Sequence, residues 1–502
     1  MNKIKLSKSR YCKCVQCEKI LWLEKYKPEC AVINKNEAII GNGKKVGELA
    51  KGLFGDYEDI PYNEDLNIMI KKTEELMQNK PNIITEASFS YSNNFCSVDI
   101  LKNDLDGVEI YEVKSATEIK PYYFDDVAFQ YFVLSNLGLN VKRVCIVYLN
   151  SETYIRGKEL DINQLFNIED VTADAIGKQD EVKNNIDRIN NLMETQDRDN
   201  EPKTDICVNC LDKDNPCVFW DYCTRDLPKP NVFDIFLMKK DKKFEKYYDD
   251  IISFEDLEND DDFTTPRFVE QVDFELHDRE PKIETCAINK ILDSLKYPLY
   301  FIDYETCQYA IPEFEGTKAY QQIPFQYSLH IIQEEGAPLE HKEFLAEIDD
   351  ENMIRHFAES MIKDMPEDGS VIIYNNSFEP ARNREIGEMY PDLNDEMERI
   401  NANIVDFMVP FRSRKYYTKE MEGSYSIKKV LPALFPDDDE LDYSKLPGVH
   451  KGDEAANAFL TLNEQTPEDQ KEIREGLLRY CELDTYAMVK IWEKFKEVTN
   501  KD

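Results

Sequence analysis

The residues with most chemical promise are acids placed where apolar runs end. Asp303 and Glu305 lie at the close of Leu299-Tyr300-Phe301-Ile302, and two positions apart on a strand they project to one face. Glu379 comes after a second apolar run, Val371 to Tyr374, and the polar turn Asn375-Asn376-Ser377. Tyr480 and Asp484 stand four apart in a helical pattern, which puts both on one helix face. Four carboxylates from two strand ends and a helix can enclose two Mg²⁺ ions about 3.5–4 Å apart, an arrangement suited to phosphoryl transfer. Tyr480 would then hydrogen-bond the attacking water.

A second constellation lies earlier. Asp99 ends the stretch Ser97-Val98-Asp99, and Glu112 and Lys114 follow a hairpin's length later. Alternation puts Glu112 and Lys114 on one strand face. Two carboxylates and a lysine suit metal-dependent phosphodiester hydrolysis: the acids hold Mg²⁺ or Mn²⁺ and the lysine steadies the attacking hydroxide or the developing charge. In so acidic a chain the pattern also arises by chance, as Glu118 and Lys120 illustrate, and a solvated hairpin is the competing explanation. A third group is made of cysteines. Cys12, Cys14 and Cys17 crowd the start, and Cys207, Cys210, Cys217 and Cys223 form a second cluster. Metal or cluster ligation is the better expectation for them than disulfides, because no secretory signal is read at the start of the chain. The other six of the 13 cysteines read as small buried hydrophobes.

These residues need scaffolds, and the chain is long enough to supply them. Its 502 residues suggest two to four domains. An aromatic content of 11% and recurring apolar runs argue against wholesale disorder. No stretch approaches the ~20 apolar residues of a membrane span, so a soluble cytoplasmic protein is expected. The net charge of −38 excludes a generic nucleic-acid coat but not an enzyme that grips a phosphodiester locally. The absence of a Gly-rich phosphate loop argues against an ATP-driven motor.

The pattern predicts an α/β module over residues 1–230. Its helices include one capped by Ser7 and one over Lys45 to Phe54, and its strands lie around Asn82–Tyr91, Cys96–Asn103, Val108–Ser115 and Arg143–Asn150. A buried helix over Asp125–Gly138 separates the last two strands. Residues 231–290 read as a charged helical connector, and residues 291–502 as a second α/β module.

Two family resemblances sharpen this. The Asp99…Glu112-x-Lys114 pattern, the following helix with Gln130 and Tyr131, and the flanking cysteines resemble RecB-like PD-(D/E)XK nucleases of the branch carrying a 4Fe-4S cluster. That resemblance implies a restriction-endonuclease-like fold, Asp99 and Glu112 as metal ligands, and Lys114 as catalytic partner. It implies Cys17, Cys210, Cys217 and Cys223 as cluster ligands, with Cys207 competing for Cys210's place and Cys12 and Cys14 as non-ligand thiols. A zinc site in the local four cysteines is the alternative. The family's early-helix histidine is missing here, and Glu48 is its candidate substitute.

The D-x-E of Asp303 and Glu305, the N-x-x-F-E ending in Glu379 and the Y-x-x-x-D of Tyr480 and Asp484 resemble DEDD exonucleases of the DnaQ-like, RNase H-like superfamily, in the tyrosine subgroup. Glu379 stands where aspartate is usual, and Asp406 is the reserve candidate. The whole chain is similar to the family known as domain of unknown function 2779, through YPLYFIDYET, IPEFEGTKAYQQIPFQYSLH, YNNSFEPARNREI and YCELDTYAM. That family joins a RecB-like to a DnaQ-like segment.

Other residues carry weaker signals. His330 faces one side of its strand and could approach the metal site, although a satisfied core histidine is favoured. Tyr320, Phe325 and Tyr327 could stack bases, with core packing the better reading for at least two of them. Lys428, Lys429, Arg412, Arg414 and Lys415 are candidate phosphate contacts, and Lys3, Lys5, Lys8, Arg10 and Lys13 could border a DNA channel. The expected function is that of a metal-dependent nuclease on nucleic acid, DNA over RNA, with a 3′→5′ exonuclease in the second module acting on single-stranded 3′ ends. A nucleic-acid-binding adaptor with decayed metal sites and a zinc-stabilised interaction protein are the rival readings.

Overall fold

The computed structural model describes residues 6–32, 37–79, 81–446 and 448–500. Lys3 and Lys5 lie outside the described residues. The chain divides into two compact units: Met1–Asp226 with Tyr309–Gln321, and Leu227–Gln308 with Gln322–Asp502. The segment read as a connector is thus part of the second unit. Its helices Lys240–Tyr248, Phe254–Glu258 and Pro266–His277 surround a small core of Val232, Ile235, Phe254, Leu257, Phe263 and Val272.

Unit 1 is built on a seven-stranded mixed sheet. Its strands are β1 (Leu6–Ser7), β2 (Glu58–Asp59), β3 (Ile83–Tyr91), β4 (Asn94–Asp104), β5 (Gly107–Lys114), β6 (Val141–Leu149) and β7 (Phe166–Asp170). The path runs β2-β3-β4-β5-β6-β7, with β1 added beside β4. β3, β4 and β5 form an antiparallel meander, and β6 lies parallel to β5. That parallel return needs a crossover. It contains the apolar helix α5 (Tyr123–Asn136), which follows α1 (Lys8–Gln16), α2 (Glu18–Tyr26), α3 (Glu37–Lys51) and α4 (Leu66–Asn79) in the chain. Val127, Phe129, Val133 and Leu134 of α5 are buried with Val98, Ile110 and Ile146 of the sheet. A second core holds Val46 and Ala50 of α3, Tyr111, Cys145 and Val147, and also Ala310 and Ala319. Those two alanines explain why residues 309–321 belong to unit 1.

The opening helix differs from expectation by a break. Cys17 adopts an extended conformation between α1 and α2. Ser7 caps α1, accepting from the Arg10 amide. The next helix begins earlier than read, at Glu37, and tightens into a 3-10 turn over Gly52–Phe54.

Unit 2 carries a five-stranded mixed sheet and a two-stranded ribbon. Its strands are β8 (Lys282–Ile283), β9 (Leu299–Gln308), β10 (Gln322–Ile332), β11 (Glu340–Leu345), β12 (Ser370–Ile373), β13 (Ile404–Asp406) and β14 (Tyr416–Tyr417), with β8 and β14 forming the ribbon. The order β11-β10-β9-β12-β13 is antiparallel through the first three strands and parallel through the last three. Helix Pro467–Thr499 packs against β9 and β10 and buries Met488, Ile491 and Phe495 with Phe301, Ile372 and Phe407. β11 had no sequence signal, because its exposed Glu-His-Lys-Glu start lacks apolar alternation. Both units are mixed α/β with flanking helices. Among the described residues no helix is long and apolar enough to cross a membrane.

Candidate functional site

The sheet of unit 2 brings its acids to one place. Asp303 and Glu305 lie on β9, where Asp303 pairs with Ser328 and Glu305 with Gln326 of β10. Asp484 comes from the long C-terminal helix, on a buried face shared with Tyr480. One ligand oxygen each from Asp303, Glu305 and Asp484 lies within 4.8 Å of the others. Glu379 is the first residue of helix Glu379–Met389, directly after the polar turn that leaves β12. It is only 3% exposed, and its Oε2 has no hydrogen-bond partner.

The electrostatics of this group are those of crowded, buried acids with Lys428 as a nearby cation. Burial, then the charges of Asp484, Glu379 and Glu305, pushes the Asp303 carboxyl well above the usual range. Burial and Asp484 do the same to Glu305. Burial raises Asp484 to about 6, although the Tyr443 hydroxyl donates to its Oδ1 at 2.5 Å and Lys428 lies near. Glu379 rises to about 8, chiefly through burial. Like charges in a low dielectric cannot all ionise cheaply, so the group either keeps protons or takes cations. Divalent ions bound by carboxylates would relieve both the crowding and the orphaned oxygen, and hard cations prefer such an oxygen donor set. The residues therefore fit such ions.

Tyr480 is fixed beside this centre. Lys428 donates to its hydroxyl at 3.1 Å and to the His450 carbonyl at 2.9 Å. Lys428, read from sequence as a phosphate contact, sits at the acidic centre, and Tyr443 joins it with no sequence signal beyond an aromatic amid acids. Asp406, the reserve ligand, spends its oxygens on the polar turn. Its Oδ1 accepts from the Asn375 and Met408 amides at 3.2 and 2.8 Å, and its Oδ2 from the Asn376 amide and Arg412 at 3.3 Å each. It holds the turn that positions Glu379.

Several other candidates are committed elsewhere. Arg414 is buried and stacks on Tyr417, Lys415 pairs with Glu284, and Lys429 pairs with Glu422. Phe325 stacks on Phe459 in the core, and Tyr327 is buried with its hydroxyl on Ser360 and Asp364. Tyr320 belongs to unit 1, where its hydroxyl meets Ser115. These aromatics are packing residues, because each has a specific intramolecular partner.

In unit 1, a cleft of about 860 Å³ is lined by Glu48, Lys51, Asp59, Glu86, Asp99 and Lys114, among others. The sequence missed Glu86. The flanking pairs Thr85–Ile100 and Ala87–Val98 put it across from Asp99, and its backbone takes φ 56°, a left-handed conformation uncommon for a non-glycine residue. Glu112 points differently. Its Oε1 accepts from Lys8 at 2.7 Å and Lys114 at 2.8 Å, and its Oε2 from Gln130 at 2.6 Å. Lys114 also pairs with Asp126. Two ammonium groups hold Glu112 well below the usual carboxylate range, whereas burial and the Glu112 charge raise Asp99 to about 7. Asp99 accepts from the Val113 amide at 2.7 Å. Glu112 thus shares its oxygens with two lysines and a glutamine, and a metal there would have to compete with these donors. Lys8, Glu86 and Asp126 are the members that motif spacing did not reveal. Of the other early cations, Lys13 pairs with Glu24.

The cysteines divide as their positions suggest. Cys17, Cys217 and Cys223 pack around Ile20, Trp22, Leu23 and Phe219. The Cys210 amide donates to the Cys207 carbonyl at 2.8 Å and the Cys217 amide to the Cys210 carbonyl at 3.0 Å. Burial raises the Cys17 and Cys223 thiols, whereas a hydrogen bond from Cys210 lowers Cys217. Cys12 instead donates to Asp126, and Cys14 is buried in the sheet core. Among the scattered cysteines, Cys96, Cys145, Cys307 and Cys481 are buried, whereas Cys30 is half-buried against the same core as Cys17, Cys217 and Cys223, and Cys286 is exposed. This corrects the expectation for Cys286, which lies at the start of helix Thr285–Ser294 on its exposed side.

Residues 300–426 match the family described as Domain of unknown function (DUF2779). That stretch spans Asp303, Glu305 and Glu379. An uncharacterized protein of Ureaplasma parvum serovar 3 is 26% identical over 247 residues, covering 45% of this chain and 35% of that protein. The chain therefore spans about a third of the length of this curated relative. No solved structure matches significantly.

Proposed function

We propose that this chain is a metal-dependent nuclease whose chemistry resides in unit 2, a 3′→5′ exonuclease acting on nucleic acid, DNA in preference to RNA. The observation that carries this reading is the convergence of Asp303, Glu305 and Asp484, with the unpartnered Glu379 oxygen contributed from the helix start that follows β12. The strand order β11-β10-β9-β12-β13, antiparallel then parallel, supports an RNase H-like module. Two Mg²⁺ or Mn²⁺ ions, when bound, would polarise the phosphodiester and lower the pKa of water.

The chain's own residues have definable tasks. Asp303, Glu305, Glu379 and Asp484 hold the ions. Tyr480, kept protonated by burial and the charges around it, donates its hydroxyl hydrogen toward the nucleophile's position. Lys428 orients that hydroxyl and adds positive charge where the phosphate's negative charge grows.

Unit 1 is proposed as a RecB-like module that grips nucleic acid. The meander-then-parallel sheet supports that kinship, and the lysines on Glu112 favour gripping over cutting. Cys17, Cys210, Cys217 and Cys223 are proposed to hold a 4Fe-4S cluster. A tetrahedral zinc with Zn–S of about 2.3 Å would set its sulfurs about 3.8 Å apart. The hydrogen-bonded contact of Cys210 with Cys217 shows how close two of these sulfurs come, and a zinc in the same group is the alternative occupant. Such a cluster would tie together segments distant in sequence, where loop closure costs most. A reducing, cytoplasmic setting is part of this reading, because cluster ligation needs free thiols.

The test is cleavage of 3′- and 5′-labelled single strands with Mg²⁺ or Mn²⁺. Ladders that disappear in Asp303→Asn with Asp484→Asn, and persist in Asp99→Asn with Lys114→Ala, place the activity in unit 2. Unchanged ladders in the first variant overturn the assignment.

A further inference from the structure

A second set of metal-type ligands stands on unit 2 and belongs to neither acidic centre. We propose that His330, His341 and Glu482 form a binding site for a divalent transition-metal ion, zinc foremost, that fastens the β10–β11 hairpin to the C-terminal helix. This inference does not rest on the nuclease reading.

His330 of β10 pairs in register with His341 of β11, and their rings lie 4.6 Å apart. Glu482 reaches them from the helix. Its Oε1 is 3.8 Å from His341 Nδ1, and one ligand atom from each residue lies within 4.8 Å of the other two. Zinc bound at 2.0–2.2 Å to nitrogen and oxygen in a tetrahedron needs ligand atoms about 3.4 Å apart. His341 and Glu482 are the more exposed members, with side chains 25% and 48% accessible, so they can close the remaining gap and leave a fourth position open to water.

Hydroxyls hold one nitrogen of each ring. Thr485 Oγ1 lies 3.0 Å from the Glu482 carbonyl, 2.8 Å from His330 Nδ1 and 2.7 Å from Ser328 Oγ, and Ser328 Oγ lies 2.9 Å from His341 Nε2. With those two nitrogens engaged by hydroxyls, the other nitrogen of each ring is the one left for an ion, and metal-binding histidines are oriented by such outer partners. His330 is 4% exposed. A buried imidazole beside a second imidazole and a carboxylate is a zinc donor set. The ligand Glu482 and the hydroxyl Thr485 flank Asp484 in sequence, so an ion here would stiffen the helix turn that carries that acid.

The test uses the full chain, stripped with chelator, reloaded with Zn²⁺ and dialysed. Zinc per chain and the zinc-dependent rise in Tm are measured for wild type, His341→Asn with Glu482→Gln, and Ser328→Ala. All three keep the cysteines and the acidic centre, so any zinc there cancels. The double variant alters accessible side chains and is expected to fold. It should hold one zinc fewer and lose part of the Tm rise. Ser328→Ala should bind that zinc about 10–100-fold more weakly. Equal zinc content and an equal Tm rise in wild type and double variant would overturn the proposal.

Discussion

Replacing Glu379 with glutamine should stabilise the metal-free protein at neutral pH, and the gain should grow with pH. Glu379 is buried, lacks a partner for Oε2, and titrates at about 8 instead of the usual 4.5. Because the folded state holds this proton more tightly than the unfolded chain, the carboxyl's contribution to stability is intact below pH 4.5. It is lost as pH rises through about 8. At 1.36 kcal/mol per pH unit, the gap from 4.5 to 7 costs about 3 kcal/mol, and the full gap from 4.5 to 8 costs about 5 kcal/mol. At pH 5 the cost is under about 1 kcal/mol. Glutamine avoids this penalty but buries an amide short of partners, at a cost of about 1–2 kcal/mol. The net gain is about 1–2 kcal/mol at pH 7, larger at pH 8.5, and reversed at pH 5. For a unit of this size, each kcal/mol moves Tm by roughly 2–4 °C. Differential scanning calorimetry in EDTA at pH 5, 7 and 8.5 reads the effect, and added Mg²⁺ should then favour the wild type. A Glu379→Gln protein less stable than wild type at pH 8.5, or a difference that does not change with pH, would refute the reasoning.

Three further outcomes follow from the same geometry. Lys428→Ala should lower kcat by about 10²-fold, as loss of one preorganised donor does, with little change in KM; single-turnover cleavage with labelled strands checks it. Cys217→Ser should abolish the brown colour and iron content of anaerobically purified protein and lower Tm, because the sulfur group ties α2 to residues beyond 200; iron analysis with thermal melts decides. Lys8→Met removes one of two ammonium groups from Glu112, so Mn²⁺ binding to an Asp303→Asn, Asp484→Asn background should strengthen, measured by calorimetric titration.

The sites that were legible in sequence are those whose residues lie where a strand or helix periodicity ends. Asp303, Glu305, Tyr480 and Asp484 all follow from a period of two or of 3.6, and the apolar strands that carry them were read within a few residues. Lys8, Glu86, Asp126 and Tyr443 were not found as site members, since each arrives through tertiary packing or, for Glu86, through an unusual backbone angle. Spacing makes Glu112 a metal-ligand candidate, but it does not show that Lys8, 104 residues away in sequence, bonds to it. The connector was read from its charge as a spacer. Its small core is built from Val232, Ile235 and Phe254, too widely separated to show a periodicity. His330 shows the same limit. Strand alternation gave its face, whereas its pairing with His341 depended on an edge strand without apolar pattern.

The most direct test of the central claim is anomalous diffraction from crystals soaked in Mn²⁺. The account predicts two peaks about 3.5–4 Å apart, bounded by Asp303, Glu305, Glu379 and Asp484. A well-ordered soaked crystal with no manganese between these four carboxylates would contradict it.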